Sequence, residues 1–494
     1  MNKRVLVLIF AQFLSPTQAN RVRFIDGRLS GGLTLVPFRF PPISNRDPIV
    51  VDYIEQKLDH FGAADDRIWN QRYMVNAKYR KADGPAFLLM GGEGPISVGM
   101  INTDNGVVMM DWMKNAAKFG AIAFQLEHRF YGNSTPFQDY ATANLKYLSS
   151  RQALEDASHF IRVMTDKYGL QNSKWIVFGG SYAGNLAAWM RERYSSQVTG
   201  AISSSAPLQA VLDYSQYMEV VGEDLSKTSQ ACFDQTKEIF DQIRKLLTTK
   251  LGKLYIRAKI GICTKIDTLS VDSRGLFYDT LCGPFMTVAQ YGGDNVYPYS
   301  TLTMAKLCSI LTDSSPGITL LDKLVSVTDM VLGKSPGDCY DVNYDHFVQE
   351  LETNIGYKPW FYQKCNEFGY FKTTDAKNQP FGNDAVDLEF RIDPCKQLFG
   401  VNLDQITAAI ADTNRYYGGR EYFNATNVVL INGSQDPWHA LGITYAVTQR
   451  PNYLVAYVNG TAHVADMYPA SESDTEQLRK ARTLISDQIE SWIR

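Results

Sequence analysis

The segment that most constrains the fold is an apolar run that passes through a serine between small residues. Trp175–Phe178 is apolar and of strand length, and Leu186–Tyr194 has the spacing of a helix. Between them lies Gly-Gly-Ser-Tyr-Ala-Gly, with the serine at position 181. A strand that turns through a serine into a helix presents the hydroxyl at the edge of a sheet. Ser181 is therefore a candidate nucleophile, and the alternative is a serine in a tight loop without chemistry.

Segments with strand and helix character alternate on both sides of this turn. Short apolar runs predict six strands at Pro85–Met90, Ala121–Leu126, Trp175–Phe178, Gly200–Ser203, Asn427–Ile431 and Tyr453–Val458. Apolar residues at helical spacing predict helices at Met109–Phe119, Ser150–Lys167, Leu186–Tyr194 and Ser473–Ile493. Such alternation is typical of a parallel sheet with helices on both faces.

The alternation stops between about residues 213 and 402, where the sequence is mostly helical in character. All seven cysteines lie between Cys232 and Cys395, and none has the close C-x-x-C spacing of a zinc site. We therefore predict no metal and no cofactor. The expected organisation is one α/β domain, formed by residues 48–212 and 413–494, with a largely helical insertion at 213–412. Disulfides are expected to stabilise the insertion.

The N-terminus has the pattern of a secretory signal peptide. Lys3 and Arg4 precede the apolar run Val5–Leu14, and small residues at Thr17–Ala19 suit cleavage. We expect residues 1–19 to be removed. No later stretch is long and apolar enough to predict a membrane span. The formal net charge of −3, with no basic excess, argues against a nucleic-acid partner.

Export would also allow glycosylation. Asn-x-Ser/Thr sequons, which are candidate glycosylation sites, occur at Asn133, Asn424, Asn432 and Asn459. We expect the protein to enter the secretory pathway and to be secreted or lysosomal.

An acid and a base follow Ser181 at the ends of the two late strands. Asp436 lies in the loop after the predicted strand Asn427–Ile431, and His463 in the loop after Tyr453–Val458. The order Ser, Asp, His at successive strand ends is that of a hydrolase triad. His439 is a rival base, although it follows the aspartate on the same loop. Taken singly, Asp436 could be a turn former and His463 a surface histidine.

A triad also needs N–H donors for the oxyanion of the tetrahedral intermediate. The amide of Tyr182, directly after the serine, is one candidate. The second candidate is Gly92 or Glu93, in the glycine-rich loop after the first predicted strand. The glycines could equally serve only a tight turn. Trp438, beside Asp436, is a candidate for lining a small apolar pocket, and plain packing is the alternative.

Several stretches together resemble the S28 family of serine peptidases, with the closest likeness to its thymus-specific branch. The matching stretches are GGSYAG, EHRFYGNS, LLMGGEGP, NGSQDPWHALG, QKLDHF, NQRYMVN, WFYQKCNEFGYF and NRYYGG. The resemblance implies an α/β-hydrolase fold with a helical cap and a triad of Ser181, Asp436 and His463. It also implies the disulfides Cys232–Cys308, Cys263–Cys339 and Cys365–Cys395, which leave Cys282 unpaired.

The activity implied by the resemblance is exopeptidase cleavage of peptides after proline. The family removes a C-terminal residue in one branch and an N-terminal dipeptide in the other. Val464 stands where Pro-X carboxypeptidases have a second histidine, which weakens that assignment without deciding for the other. Peptides are the expected substrates, and a homodimer is compatible with the sequence. The alternatives are a catalytically inert binding protein on a hydrolase scaffold and an esterase or lipase of the same fold.

Overall fold

The structure is a computed structural model of the whole chain. It describes three two-residue strands, Arg21–Val22, Phe24–Ile25 and Arg28–Leu29, and then residues 49–63, 65–103, 109–266, 270–293, 302–332, 338–354, 356–383, 385–445 and 453–494. The expected signal peptide, residues 1–19, lies outside the described residues. None of the helices that the structure describes is long and apolar enough to cross a membrane.

An eight-stranded sheet forms the centre of the molecule. Its strands are β1 (Ile49–Lys57), β2 (Ile68–Asn76), β3 (Ala86–Met90), β4 (Ile122–Leu126), β5 (Trp175–Gly180), β6 (Val198–Ser204), β7 (Val428–Gly433) and β8 (Tyr453–Val458). Their spatial order is β8-β7-β6-β5-β3-β4-β2-β1. The six strands predicted from the sequence are β3 to β8, with ends shifted by a residue or two, and they pair in parallel.

One edge of the sheet, which the sequence analysis did not predict, is antiparallel. Strand β2 pairs antiparallel with both β1 and β4, so the sheet is mixed. These two strands escaped prediction because their apolar residues do not form a continuous run. In the edge strand β1, Val50, Val51 and Tyr53 face solvent while Ile54 is buried, so the pattern suggests neither a buried strand nor a regular alternation.

The helices that cover the sheet divide between its two faces. They are α1 (Asp111–Phe119), α2 (Ser150–Tyr168) and α3 (Tyr182–Arg193) before the insertion and α14 (Glu476–Ile493) at the C-terminus. Phe87 and Leu89 of β3 share a hydrophobic cluster with α1 and α14. Leu88, which points to the opposite face, belongs to the cluster that includes α2 and α3.

In the described part of the chain, ten α-helices lie between β6 and β7 and form the cap. They are α4 (Gln216–Thr228), α5 (Gln230–Leu247), α6 (Lys250–Ile260), α7 (Val271–Tyr291), α8 (Met304–Leu311), α9 (Leu320–Leu332), α10 (Tyr344–Thr353), α11 (Lys358–Gln363), α12 (Leu388–Phe399) and α13 (Leu403–Tyr417). Their buried side chains belong to the same hydrophobic cluster as α2 and α3, so the cap and the sheet share one core.

The disulfides join the cysteine pairs that the family resemblance implies. Cys232 is bonded to Cys308, Cys263 to Cys339 and Cys365 to Cys395, all within the cap. Cys282 is free and buried in α7. Bonds that close loops of this length restrict the unfolded chain and thereby stabilise the cap.

We predict that Gly200→Ala destabilises the fold by wedging β6 away from α14. A Cβ at Gly200 would lie 2.2 Å from Cε3 of Trp492. Overpacking of this kind typically costs about 1–3 kcal/mol. The measurement is urea unfolding of the variant alongside Gly356→Ala, an exposed glycine where a Cβ would meet only the Asn354 side chain at 3.3 Å.

Adding Trp492→Ala to Gly200→Ala tests the mechanism of this destabilisation. If the indole is the obstacle, the double variant loses less stability than the sum of the single variants. Strict additivity of the two losses would show that Gly200 does not act through Trp492.

Candidate active site

Ser181 stands at a sharp turn between β5 and α3. Its backbone has φ 58° and ψ −132°, a conformation that non-glycine residues rarely adopt. The turn is held from both sides: the Ser181 amide donates to the carbonyl of Ser204 at 2.9 Å, and the Ser181 carbonyl accepts from the amides of Gly184 and Asn185. The sequence-predicted strand–serine–helix turn is therefore present, and α3 begins directly at Tyr182.

The small residues around Ser181 are required by close backbone contacts. A Cβ on Gly179 would lie 1.9 Å from the carbonyl oxygen of Ala183, and one on Gly184 would lie 2.9 Å from that of Ser204. A Cβ on Gly180 would lie 2.4 Å from Sδ of Met467, on the loop after β8. The glycines thus let β5, α3 and the loop after β8 that carries His463, called the histidine loop below, come together at Ser181.

Asp436 and His463 are hydrogen-bonded to each other at the same edge of the sheet. Nδ1 of His463 lies 2.8 Å from Oδ2 of Asp436, and both side chains are buried. Oδ1 of Asp436 accepts from the amide of Trp438 at 3.0 Å. The two loops run side by side because Gly433 allows the backbone of Thr461 to approach; a Cβ at Gly433 would lie 2.3 Å from its carbonyl oxygen.

The second ring nitrogen of His463 points away from the aspartate and is free to act. Nε2 is buried and has no hydrogen-bond partner among the described residues. With the proton on Nδ1 held by Asp436, Nε2 carries the lone pair, which is the tautomer of a general base. The next residue, Val464, has φ 52° and donates its amide to Oγ of Ser205 at 2.8 Å. This unusual backbone fixes the histidine loop against the end of β6.

A buried arginine that the sequence analysis missed holds the histidine loop. The guanidinium of Arg482 on α14 donates to the carbonyls of Ala465, Asp466 and Tyr468 and pairs with Asp474. The signal in the sequence is its position, since an arginine occupies the apolar stripe of an amphipathic helix. Such a residue needs several partners to be buried, and the loop carbonyls supply them.

The glycine-rich loop after β3 lies against the first turn of α3. A Cβ on Gly92 would lie 3.4 Å from Cβ and 3.5 Å from the amide nitrogen of Ala183. The buried Glu127 positions this loop, because its carboxylate accepts from the amides of Ile96 and Asn133. The predicted oxyanion candidates Tyr182 and Gly92 thus lie on adjoining backbone segments, with Glu93 following Gly92.

The side chain of Tyr182 is fixed in a buried network. Nδ1 of His128 lies 2.7 Å from the Arg129 carbonyl, so Nδ1 carries the proton and Nε2 accepts from the Tyr182 hydroxyl at 3.0 Å. Gln363 donates to the same hydroxyl at 3.0 Å. Burial lowers the pKa of His128 to about 4, which keeps the ring neutral. Neither His128 nor the rival His439, which binds the Asp436 backbone carbonyl, contacts the Asp436 carboxylate.

Trp438 packs in an aromatic cluster where the cap meets the loop after β7. Its ring lies 5.3 Å from that of Tyr214, 5.9 Å from Tyr217 and 5.4 Å from Tyr370, measured between centroids. Nζ of the buried Lys372 lies 5.0 Å from the Trp438 ring. The residue is therefore both a packing residue and a neighbour of Asp436.

The four sequons differ in exposure. Asn133, Asn424 and Asn459 are exposed. Asn432 was a wrong candidate for glycosylation, because it is an interior residue of β7 with 2% of its surface exposed. Its Nδ2 donates to the carbonyl of Ile443 at 2.9 Å, so this nitrogen cannot carry a glycan in the folded protein.

The strand order and the strand–serine–helix turn, with a helical cap between β6 and β7, define an α/β-hydrolase. The chain belongs to the S28 family of serine peptidases: the family model described as serine carboxypeptidase S28 matches residues 56–485.

Relatives that match most of the chain are named as serine proteases or as carboxypeptidases. A Caenorhabditis elegans protein with the name "Putative serine protease K12H4.7" is 37% identical over 98% of this chain and 97% of its own length. The mouse thymus-specific serine protease is 33% identical over 90% and 87%. Human lysosomal Pro-X carboxypeptidase is 28% identical over 100% and 98%. Among solved structures, a proline iminopeptidase of Mycobacterium smegmatis covers 86% of this chain and 96% of its own with 11% identity and a TM-score of 0.33. The chain is a serine protease.

Asp224 on α4 is a buried carboxyl group close to Asp436. Its side chain is 3% exposed, and its Oδ2 has no hydrogen-bond partner among the described residues. Burial raises its pKa to about 8, and Asp436 adds to the shift. Between about pH 4 and pH 8 the unfolded chain would ionise this carboxyl while the folded protein keeps it protonated. The group therefore lowers stability progressively as the pH rises through this window.

We predict that Asp224→Asn raises the melting temperature by a few degrees at pH 8 and has little effect at pH 4, because an amide removes the cost of ionising a buried acid. Thermal unfolding across this range measures the effect. The matched control is Asp234→Asn, an exposed aspartate on α5. A difference between Asp224→Asn and wild type that does not grow with pH would contradict the assignment.

Proposed function

We propose that this serine peptidase is an exopeptidase in which Ser181 is the nucleophile, His463 the general base and Asp436 its orienting acid. The observation that carries the proposal is the orientation of the His463 ring. Its Nδ1 is bonded to Asp436 at 2.8 Å, while Nε2 is unpaired among the described residues. The Met467 contact with Gly180 brings this loop beside the serine turn. An imidazole held in this way suits proton transfer from a serine hydroxyl.

The reaction follows from these positions. Oγ of Ser181 attacks the carbonyl carbon of the scissile bond as Nε2 of His463 takes the hydroxyl proton. His463 returns that proton to the leaving amine, the C–N bond breaks, and the acyl group remains on Ser181 as an ester. Water then attacks the ester with the same nitrogen as base, which releases the second product and restores the serine.

The negative oxygen formed in each step needs backbone donors. The amide of Tyr182 at the start of α3 is one, supported by the positive end of the helix. We assign the second to Gly92 rather than Glu93, because Gly92 lies against the amide end of α3. The Tyr182 hydroxyl is engaged by His128 and Gln363, so its role here is to hold the backbone.

Cleavage after proline is the proposed specificity. The relatives include Pro-X carboxypeptidases, and Trp438, which follows Asp436 by two residues, belongs to a buried aromatic cluster with Tyr370 that would form the apolar wall of a proline pocket. Membership in a peptidase family argues against the inert scaffold and the esterase as alternatives.

We also propose that residues 213–412 form a cap between two parts of the hydrolase domain, residues 48–212 and 413–494.

We further propose that the protein works in an acidic compartment of the secretory pathway. Three disulfides support export. Burial raises the pKa of Asp111 to about 6, and it also raises the pKa values of Asp466 and Glu367. These carboxyls, like Asp224, favour the folded state more at acid pH than at neutral pH.

Replacement of the nucleophile tests the mechanism. We predict that Ser181→Ala abolishes hydrolysis of X-Pro reporter peptides and labelling by a fluorophosphonate probe, since both need Oγ. The exposed Ser473→Ala is the matched control and keeps both. Turnover of Ser181→Ala at the rate of the control would rule out the proposed nucleophile.

The Asp436–His463 bond has its own test. Asp436→Asn keeps the volume but offers an N–H or a neutral oxygen to Nδ1, which weakens the required tautomer. We predict a fall in kcat of about 10³–10⁴-fold with a much smaller change in KM. An Asn variant whose kcat is close to that of wild type would show that Asp436 does not serve His463.

A further inference from the structure

A short segment of the cap, from residue 244 to residue 265, is strongly basic. It contains seven lysines and arginines and no aspartate or glutamate, whereas the whole chain has a formal net charge of −3. The basic residues are Arg244, Lys245, Lys250, Lys253, Arg257, Lys259 and Lys265. Helix α6 lies in the middle of this segment. A local excess of positive charge in a chain of net negative charge favours an anionic partner at this place.

The same helix exposes large apolar side chains. Leu251 is 80% exposed, Leu254 47% and Tyr255 44%. Leu254 and Tyr255 follow Leu251 by three and four positions, so the three side chains lie on one face of α6 and form what we call the α6 stripe. Ile256 and Ile260, on the opposite face, are buried in the cap. Single exposed apolar residues are common, but a contiguous group of them marks a surface that binds an apolar partner.

Cations lie along both sides of the α6 stripe. Lys250 comes four positions before Leu254, and Arg257 comes three positions after it, so both lie along one side. Lys259 comes four positions after Tyr255, on the other side, and pairs with an aspartate of α9. Neither Lys250 nor Arg257 has an ion pair within the described part of the chain. An apolar stripe between cations is the pattern of a helix that lies in a membrane interface.

The α6 stripe belongs to a firmly anchored helix. The side chain of Thr249 caps its start by accepting from the amide of Gly252 at 3.0 Å. Gly261 ends the helix with a φ of 79°, and Cys263, two residues further, is bonded to Cys339. The helix also packs on α5 and α9. The stripe is therefore presented on a fixed surface, and binding to it requires little ordering of the chain.

We propose that the α6 stripe and the cations beside it dock the protein on a membrane surface that carries anionic lipids. The two leucines and the tyrosine enter the boundary between headgroups and acyl chains. Lys250 and Arg257 reach the anionic headgroups, since their long side chains keep the charge in the polar layer. The protein lies on the membrane in this arrangement, with the peptidase domain outside the bilayer.

Two other occupants would match only half of this surface. A soluble polyanion would pair with the cations but would leave Leu251 in water. A second copy of this chain would cover the leucines, but a two-fold interface would place the cations of one α6 against those of the other. An anionic lipid surface supplies an apolar layer and negative charge together, so it is the occupant that we propose.

The experiment measures how the full-length protein partitions onto lipid vesicles in a flotation assay. One set of vesicles contains phosphatidylcholine alone, and the other contains phosphatidylcholine and phosphatidylserine in equal amounts. We expect partitioning onto the anionic vesicles to be at least about 10-fold stronger, and to weaken as the salt concentration rises. Equal partitioning onto the two sets, or none onto either, would overturn the proposal.

Two pairs of variants locate the docking surface. Leu251→Gln is expected to weaken partitioning about 10-fold, whereas Leu403→Gln, at a leucine of α13 that is 45% exposed, leaves it unchanged. Lys250→Gln is expected to weaken it about fivefold, whereas Lys480→Gln, at an exposed lysine of α14, leaves it unchanged. Wild-type partitioning by both α6 variants would show that another surface binds the lipid.

The other occupants give different results. A dimer in solution that Leu251→Gln dissociates would identify a second copy as the occupant and would overturn the proposal. Binding to heparin that Lys250→Gln loses and Leu251→Gln keeps, without binding to vesicles, would identify a polyanion and would also overturn it.

Peptidase activity is independent of this docking. The proposed triad lies on the loops after β5, β7 and β8, so the α6 variants are expected to keep hydrolysis of X-Pro peptides and fluorophosphonate labelling at the wild-type level. Loss of vesicle binding with full labelling therefore confirms a surface role for α6. Both side chains are exposed, and thermal unfolding verifies that neither substitution disturbs the fold.

Discussion

The turn at Ser181 is the constraint on which the rest of the site depends. A serine at φ 58° is held in a strained conformation, which typically costs about 1–3 kcal/mol and persists only where the surroundings enforce it. Close packing enforces it here: the carbonyl of Ser204 accepts its amide, and Gly179 and Gly180 leave no room for a side chain. The same contacts bring the loop after β8 to the serine, so one packing arrangement positions both the proposed nucleophile and the loop that carries its proposed base.

The cap is part of the site rather than a cover over a finished one. The amide of His463 donates to the carbonyl of Gln290 on α7, and the hydroxyl of Tyr214 donates to the carbonyl of Pro437. Both bonds run from the cap to the loops that carry His463 and Asp436. Because the cap and the sheet share one hydrophobic cluster, the helices and disulfides of the cap also stabilise the geometry of these loops.

Buried charge is used in two ways. Arg129 and Asp156 form a fully buried ion pair. Burial alone would raise the pKa of Asp156, but Arg129 lowers that pKa below its usual value. The carboxylate therefore stays charged and paired. Asp111 lies 3.5 Å from the Arg482 guanidinium and Asp224 lies near Lys227, but burial outweighs these cations and raises the pKa values of both carboxyls. The Arg129–Asp156 ion pair stabilises the fold at any physiological pH. The protonated Asp224 and Asp111 instead make folding more favourable at acid pH than at neutral pH.

The sequence by itself determined six parallel strands, the helical insertion and the order of Ser181, Asp436 and His463, because continuous apolar runs and turn residues are local signals. Tertiary structure decided the rest. The antiparallel edge of the sheet depends on how the strands pair. The sequence of β1 does not predict this pairing, because its apolar side chains lie on both faces of the strand. The roles of Glu127 and Arg482, the burial of Asn432, and the contact of Gln290 with His463 join residues far apart in the chain. No local pattern encodes such contacts, since they exist only once the core has packed.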